Sequence, residues 1–207
     1  MLELPTTLPE GFRYFPGYFD ASDQRAMVAL LRDVVKQAPL FQPVMPRTGT
    51  PFSVQMTNCG SLGWVSDRAG YRYQREHPTT GAPWPPMPEI MLKLWEDVAE
   101  CFAPPEACLV NFYGEGAKMG LHQDRDESTF EAPVVSVSLG DTALFRVGQT
   151  TRGGKTQSIT LTSGDVIVFG GAARLCYHGI SKVMWGSSPL LSAGGRLNLT
   201  LRRVTPF

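Results

Sequence analysis

Residues 196–202 read Arg196-Leu197-Asn198-Leu199-Thr200-Leu201-Arg202, alternating polar residue and leucine without a break. A period of two describes a strand with unlike faces, leucines on one side and Arg, Asn, Thr and Arg on the other. The leucines require an apolar layer to pack against. The polar face has two possible destinations, water, as in a one-sided sheet, or the lining of a site. Arg196 and Arg202 share that face about 20 Å apart at Cα. If each side chain reaches inward by roughly 6 to 7 Å, a gap of roughly 6 to 8 Å remains between the guanidinium groups. A short dicarboxylate held bidentately at both ends suits such a gap.

Outward from this strand, the C-terminal half is a series of short β-prone runs at 107–113, 133–139, 143–147, 157–162, 166–169, 175–180 and 196–204. Turn signals separate them, including Gly140-Asp141, Arg152-Gly153-Gly154, Ser163-Gly164-Asp165 and Gly194-Gly195. Many short strands with regular turns mean a sandwich, jelly roll or barrel. Before Pro105 the pattern differs. Asp20 or Ser22 can cap a helix running to about Gln37, with Met27, Leu30, Leu31 and Val34 on one apolar stripe. A second helix is expected from Glu89 to Phe102, with Met91, Leu94, Trp95, Val98 and Phe102 on its stripe. Residues 1–19 read as an arm over the body, 38–51 as loop, 52–58 as a strand and 83–88 as a stiff proline connector.

The chain of 207 residues is long enough for one sizeable core, and no shift in composition divides it. A single domain is expected. No run approaches the roughly 20 apolar residues of a membrane helix, and the N-terminus lacks a signal-peptide core. Net charge is zero, so any nucleic-acid contact must come from a local patch. The cysteines Cys59, Cys101, Cys108 and Cys176 show no C-x-x-C spacing. They read as scattered thiols in a reducing cytoplasm, which would also keep iron ferrous.

The chemistry concentrates in Asn111–Glu127, NFYGEGAKMGLHQDRDE. On an extended strand, His122 and Asp124 would project from one face about 7 Å apart, close enough to share a metal ion. The same pattern also suits a surface hydrogen-bonded pair. Only His77, His122 and His178 are available as imidazole ligands, and His178 lies in a β-prone run. His122, Asp124 and His178 would form a 2-His-1-carboxylate triad, which leaves three cis positions open on non-haem Fe(II). That centre carries a formal charge of +1, so an anionic 2-oxo acid can chelate it and leave one position for O2. Residues 64–75 interleave aromatics with arginines. They read either as a nucleotide-facing lid, rings for bases and guanidiniums for phosphates, or as a solvated loop with anchoring aromatics.

The segments MTNCGSLGW (56–64), NFYGEGAKMGLHQDRDE (111–127), APVVSVSLG (132–140), GDVIVFGG (164–171), RLCYHGI (174–180) and RLNLTLRR (196–203) closely resemble the AlkB family of Fe(II)/2-oxoglutarate-dependent nucleic-acid dealkylases. The resemblance runs from about residue 50 to the C-terminus. It implies a mainly β fold with N-terminal helices (α+β), in which residues 1–106 form a helical extension and nucleotide-recognition lid and 107–207 a double-stranded β-helix (jelly-roll) catalytic core. It assigns Fe(II) to His122, Asp124 and His178, and 2-oxoglutarate to Asn111, Tyr113, Arg196, Asn198, Thr200 and Arg202, with O2 as the other co-substrate. It places Trp64, Tyr71, Arg72 and Tyr73 over the damaged base or its phosphates, and Asp126 and Arg152 beside the substrate. The implied reaction is oxidative demethylation of bases such as 1-methyladenine and 3-methylcytosine in single- or double-stranded DNA, with RNA as a second polymer, releasing formaldehyde. No obligate protein partner is evident. Phe169 stands where the family's best-known bacterial enzyme has Trp, Leu197 replaces an aromatic, and the lid arginines differ in number and position. The rival readings are an Fe(II)/2-oxoglutarate hydroxylase acting on a protein or small molecule, and a jelly-roll binding module with a degenerate site.

Overall fold

A computed structural model describes residues 8–207, so the first seven residues of the expected arm lie outside the described part. Two antiparallel sheets face each other. The larger is built around β12 (Arg196–Arg202), which pairs with β5 (Ala107–Tyr113) on one side and β7 (Val134–Gly140) on the other. Outward from β7 come β10 (Val166–Phe169) and β1 (Phe12–Phe15), and outward from β5 comes β2 (Gln55–Gly60). The smaller sheet runs β6 (Met119–His122), β11 (His178–Val183), β8 (Ala143–Val147) and β9 (Gln157–Leu161). A separate hairpin joins β3 (Gly63–Asp67) to β4 (Gly70–Gln74). This is the jelly roll, and both edge strands of the larger sheet come from the N-terminal half.

The alternation of β12 explains the layering. Leu199 and Leu201 are buried with Val110, Val135, Val137 and Val168 against α1 (Ala21–Gln37) and α2 (Glu89–Val98), through Met27, Leu31, Leu94 and Trp95. Burying a leucine stabilises by about 1.5–3 kcal/mol, so this face alone orients the strand. The other face meets protein rather than water: Arg196 is 1% and Arg202 5% exposed. A second apolar cluster fills the space between the sheets, with Val134, Ile167 and Phe169 facing Phe145, Ile159, Leu161 and Ile180.

Several local expectations shift. Asp20 caps α1, its carboxylate accepting the Ser22 and Asp23 amides, but Leu30 is 40% exposed and Val28 takes the buried place. At 100° per residue the buried stripe of Met27, Val28, Leu31 and Val34 is centred about a quarter turn away from Leu30, which leaves Leu30 on the flank. The second helix ends at Val98, where Glu100 turns to φ +53° ahead of Pro104 and Pro105, so Phe102 is 87% exposed and packs edge-on against Phe207. Phe12–Phe15, expected in the arm, instead adds the edge strand β1, because Phe12 buries against Phe145 and Phe169. The strand expected over 52–58 begins at Gln55, and the one expected over 175–180 begins at His178. Residues 64–75 are a hairpin rather than a loop, its turn held by the Asp67 carboxylate accepting the Ala69 amide, with Gly70 at φ +119°.

Candidate metal centre and its cavity

His122 closes β6 and lies directly opposite His178, the first residue of β11. Asp124 is not on the strand face expected of it. It sits in the coil after β6, and its side chain is brought back by Arg202, whose Nη2 donates to Oδ2 at 2.8 Å. The donor atoms of His122, Asp124 and His178 all lie within 4.8 Å of one another. His122 Nε2 is 3.6 Å from Asp124 Oδ1 and His178 Nε2 is 3.8 Å from Oδ2.

Each imidazole is oriented from behind. His122 Nδ1 is 2.9 Å from the Gly120 carbonyl oxygen and His178 Nδ1 is 2.9 Å from that of Cys176. A carbonyl can only accept, so the proton resides on Nδ1 and the Nε2 lone pair points to the shared space. Phe169 and Phe145 pack on the His178 ring with centroids at 4.8 and 5.9 Å. Burial, followed by the neighbouring His122, pushes the His178 pKa down to about 4, so this imidazole is neutral and ready to ligate. For His122 burial pulls the same way, but the Asp124 carboxylate outweighs it and leaves the pKa raised. Burial would raise the Asp124 pKa. The Arg202 guanidinium and both imidazoles overcome it, holding the carboxyl well below its usual range.

A cavity of about 480 Å³ opens above these donors, within the roughly 300–1,000 Å³ common for ligand sites. Asn111, Tyr113, Arg196, Asn198, Thr200 and Arg202 line it from the larger sheet. Arg196 donates through Nη2 to Ser138 Oγ at 2.8 Å and lies 5.5 Å from the Tyr113 ring centroid. Its Nε and Nη1 are buried without a hydrogen-bond partner, as is Asn111 Oδ1. Burial lowers the Arg196 pKa. Orphaned donors on a buried guanidinium fit an anionic ligand, since leaving them unmet is costly. Arg202 differs, being engaged with Asp124, with Glu127 at 3.4 Å and with the Tyr73 hydroxyl at 3.4 Å. Asn198 donates to Ser136 Oγ and the Val137 carbonyl and accepts from Thr200.

The hairpin roofs the cavity. Trp64 stacks on Tyr71 at 5.7 Å and 17°, and its Nε1 donates to Asp126 Oδ2 at 2.8 Å. Tyr73 reaches deeper and donates to Glu127 Oε1 at 2.6 Å. Arg152 stands at the exposed rim, 5.8 Å from the Tyr177 ring centroid. Arg72 is not brought to the cavity: between Tyr71 and Tyr73 on β4 it takes the opposite face, where it binds both oxygens of Asp67.

The sequence pattern of the 2OG-Fe(II) oxygenase superfamily matches residues 11–202. An alpha-ketoglutarate-dependent dioxygenase AlkB homolog of Caulobacter vibrioides is 51% identical over 204 residues, 99% of this chain and 92% of its own. The chain belongs to the AlkB family. The alpha-ketoglutarate-dependent dioxygenase AlkB of Escherichia coli is 43% identical over 190 residues, 90% of this chain and 86% of the other. The solved structure of OsALKBH1 superposes with a TM-score of 0.80 at 32% identity, covering 96% of this chain and all of that one. As an AlkB-family enzyme the chain uses Fe(II), 2-oxoglutarate and O2, for which the three clustered donors and the unpartnered Arg196 are a chemical match.

Glu127, Arg174, Phe145 and Gln123 escaped the sequence reading. Arg174 is buried, donating to the Ala132 carbonyl through Nε and to the Asp124 carbonyl through Nη1. Gln123 bridges to the Thr150 and Leu175 carbonyls, tying the ligand loop to the segment before His178. The run Asp124-Arg125-Asp126-Glu127 offered a cluster of charges, but nothing in it separates the buried acids from the exposed one.

Proposed function

We propose that this oxygenase removes N-alkyl groups from nucleic-acid bases by oxidation, acting on 1-methyladenine, 3-methylcytosine and similar lesions in DNA, with RNA as a second substrate. The observation that carries the reading is the cavity itself. Metal-ligating donors form its floor, an anion-seeking arginine its far wall, and two stacked aromatic rings its roof. A base inside a duplex cannot reach that floor, so the target must be extruded into the cavity, a step that is cheapest for a methylated base already unable to pair.

His122, Asp124 and His178, whose donor atoms lie within 4.8 Å of one another at the cavity floor, would hold Fe(II). Bound there with 2-oxoglutarate and O2, Fe(II) supplies the oxidising power that hydroxylates the alkyl carbon, which then leaves as formaldehyde. Arg196 would take the far carboxylate of 2-oxoglutarate through its unpartnered Nε and Nη1, with Tyr113 beneath it. Asn111, Asn198 and Thr200 supply neutral polar groups between the two arginines. Trp64 is assigned to stack on the extruded base, with Tyr71 and Asp126 beside it and Arg152 at the rim for phosphate. Neutral His178 and the phenyl rings of Phe145 and Phe169 keep that end of the cavity apolar, which suits an alkyl group better than a charged one.

The test is mass spectrometry of a short oligonucleotide carrying 1-methyladenine or 3-methylcytosine after incubation with the protein, Fe(II), 2-oxoglutarate and ascorbate. The expected result is loss of 14 mass units per lesion, about one CH2, with one succinate formed per base repaired. Succinate formation that no methylated DNA or RNA strand stimulates would overturn the nucleic-acid reading.

A further inference from the structure

The side chain of Glu127 is 1% exposed, and its carboxylate meets groups from three separate parts of the chain. Oε2 lies 3.1 Å from Arg174 Nη2 and Oε1 lies 3.4 Å from Arg202 Nε, ion-pair contacts made without a hydrogen bond at Oε2 or at Arg202 Nε, while Oε1 accepts the Tyr73 hydroxyl at 2.6 Å. Those two arginines are also the ones that hold Asp124. Arg202 Nη2 binds its carboxylate at 2.8 Å and Arg174 Nη1 binds its main-chain carbonyl oxygen at 2.7 Å. Tyr73, in turn, is part of the hairpin that roofs the cavity. Two carboxylates and two guanidiniums therefore form a buried set of zero net charge, with one hydroxyl from the lid completing it. Removing one member of such a set leaves an uncompensated buried charge, which is far costlier than losing an exposed pair.

We propose that Glu127 is a positioning residue through which docking of the lid hairpin fixes the metal's carboxylate ligand. With the Tyr73 hydroxyl engaged, the Glu127 carboxylate is held in place, and its charge holds the Arg202 and Arg174 guanidiniums beside it. These fix Asp124 at two points, its Oδ2 and its carbonyl oxygen, so the carboxylate cannot rotate away from His122 and His178. With the lid displaced, Glu127 loses its only neutral partner of the three and the clamp loosens. The roof of the cavity and the geometry of its floor are thereby one coupled unit. The inference rests on the reading of His122, Asp124 and His178 as the metal ligands.

The test is Mn(II) binding to the whole metal-free chain by calorimetry, comparing the wild type with Glu127→Gln, Tyr73→Phe and the double variant, and with Asp124→Asn as control. Glu127→Gln should weaken Mn(II) binding by about 10- to 100-fold, the range for outer-shell partners of metal ligands. Tyr73→Phe removes one oxygen from the lid and touches no ligand, yet it should weaken Mn(II) binding at least about threefold in the wild type and not at all in the Glu127→Gln background. That non-additivity is the signature a merely structural role would not produce. Wild-type affinity in Tyr73→Phe, or additive losses in the double variant, would overturn the proposal. Tyr73→Phe decides it alone if Glu127→Gln fails to fold. If Asp124→Asn keeps full affinity, the ligand reading fails first and the proposal with it; if Asp124→Asn loses affinity and Tyr73→Phe does not, only the proposal fails.

Discussion

Strand β12 and the β3–β4 hairpin face the same cavity from different sides, and they handle their charges in opposite ways. β12 is laddered on both edges, and its arginines are buried, Arg202 ion-paired with two carboxylates and lacking a hydrogen bond only at Nε, Arg196 without a carboxylate and lacking one at both Nε and Nη1. The hairpin strands pair with each other alone, Tyr71 is 46% exposed, and Arg72 is already matched by Asp67 near the surface. A strand fixed on both edges can hold donors unmet for a small anion. The hairpin is tied to the body through Trp64, whose backbone exchanges hydrogen bonds with Asn58, and through Ser66, bonded to Val44, while Tyr71 stays exposed. The unmet donors thus lie on the doubly laddered strand, and the exposed ring and the surface-matched arginine on the hairpin.

The comparison breaks most severely at the floor. His122→Ala, Asp124→Ala and His178→Ala should each abolish turnover and lower metal affinity by more than about 100-fold, exceeding what outer-shell changes cost. Metal titration of folded variants checks this, and a variant that loses the metal yet keeps full dealkylation would refute the ligand set. The two imidazoles should also titrate apart. Metal binding needs both neutral. His178, with a pKa near 4, sheds its proton first as pH rises, whereas His122, raised above its usual value by the Asp124 carboxylate against the effect of burial, gives its proton up last. Mn(II) affinity should therefore fall about tenfold per pH unit as pH drops below the His122 value, one proton per metal, steepening to two only near pH 4. A two-proton slope through pH 5 to 6 would mean that both imidazoles titrate together.

The arginines of β12 come next. Arg196→Lys keeps the charge but loses the fork, so the apparent 2-oxoglutarate requirement should rise about 10- to 100-fold, the equivalent of the roughly 1.5–3 kcal/mol of a charge-assisted hydrogen bond. Oligonucleotide affinity should stay the same. Arg202→Lys should do more, because Arg202 also holds Asp124, and metal affinity should fall with it. If Arg202→Lys raises only the 2-oxoglutarate requirement, the two arginines are equivalent grips and the contrast between them disappears.

How far the sequence could be read follows the same division. β12 was legible because a period of two survives any tertiary context, and the buried destination of its polar face needed only the two histidines and a carboxylate to suggest it. The position of Asp124 was not legible: it leaves the strand and is returned to it by Arg202, 78 residues away. Glu127 and Arg174 were invisible for the same reason, since their partners lie 42 (Arg174 to Ala132) to 75 (Glu127 to Arg202) residues distant and no local spacing encodes such pairings. In the lid the failure was one of direction. Tyr71, Arg72 and Tyr73 read as one recognition cluster, but in a strand the middle residue must point the other way.

Within the lid itself the strongest effect belongs to Trp64. Stacking on a base is worth roughly 1–3 kcal/mol by alanine substitution, so Trp64→Ala should weaken productive binding of a methylated oligonucleotide by about one to two decades. Substrate-free decarboxylation of 2-oxoglutarate should be little changed, because Trp64 touches none of the proposed metal ligands. Loss of metal binding or of the fold in Trp64→Ala would make it a core residue, and the stacking role would be lost with it.

The smallest effects separate the lid arginines from each other. A phosphate contact displaces counterions, and each one lost reduces the slope of log affinity against log salt by about 0.7 on a single strand. Arg68 and Arg75 are exposed and appear in no salt bridge among the described residues, so Arg68→Ala or Arg75→Ala should each flatten that slope by close to the full amount where phosphate is contacted. Both should weaken methylated and unmethylated strands alike, because phosphate carries no base information. Arg72 should behave differently. Its guanidinium is bound at 2.8 and 2.9 Å to both oxygens of Asp67, so the pair presents little net charge to a backbone. Arg72→Ala alone should leave the salt slope nearly unchanged or lower affinity slightly, by exposing the Asp67 carboxylate, and Arg72→Ala with Asp67→Ala should restore wild-type binding. A loss of the full slope of about 0.7 on Arg72→Ala would mean that the Asp67 pair opens when nucleic acid binds, and that the hairpin's outer face belongs to the recognition surface after all.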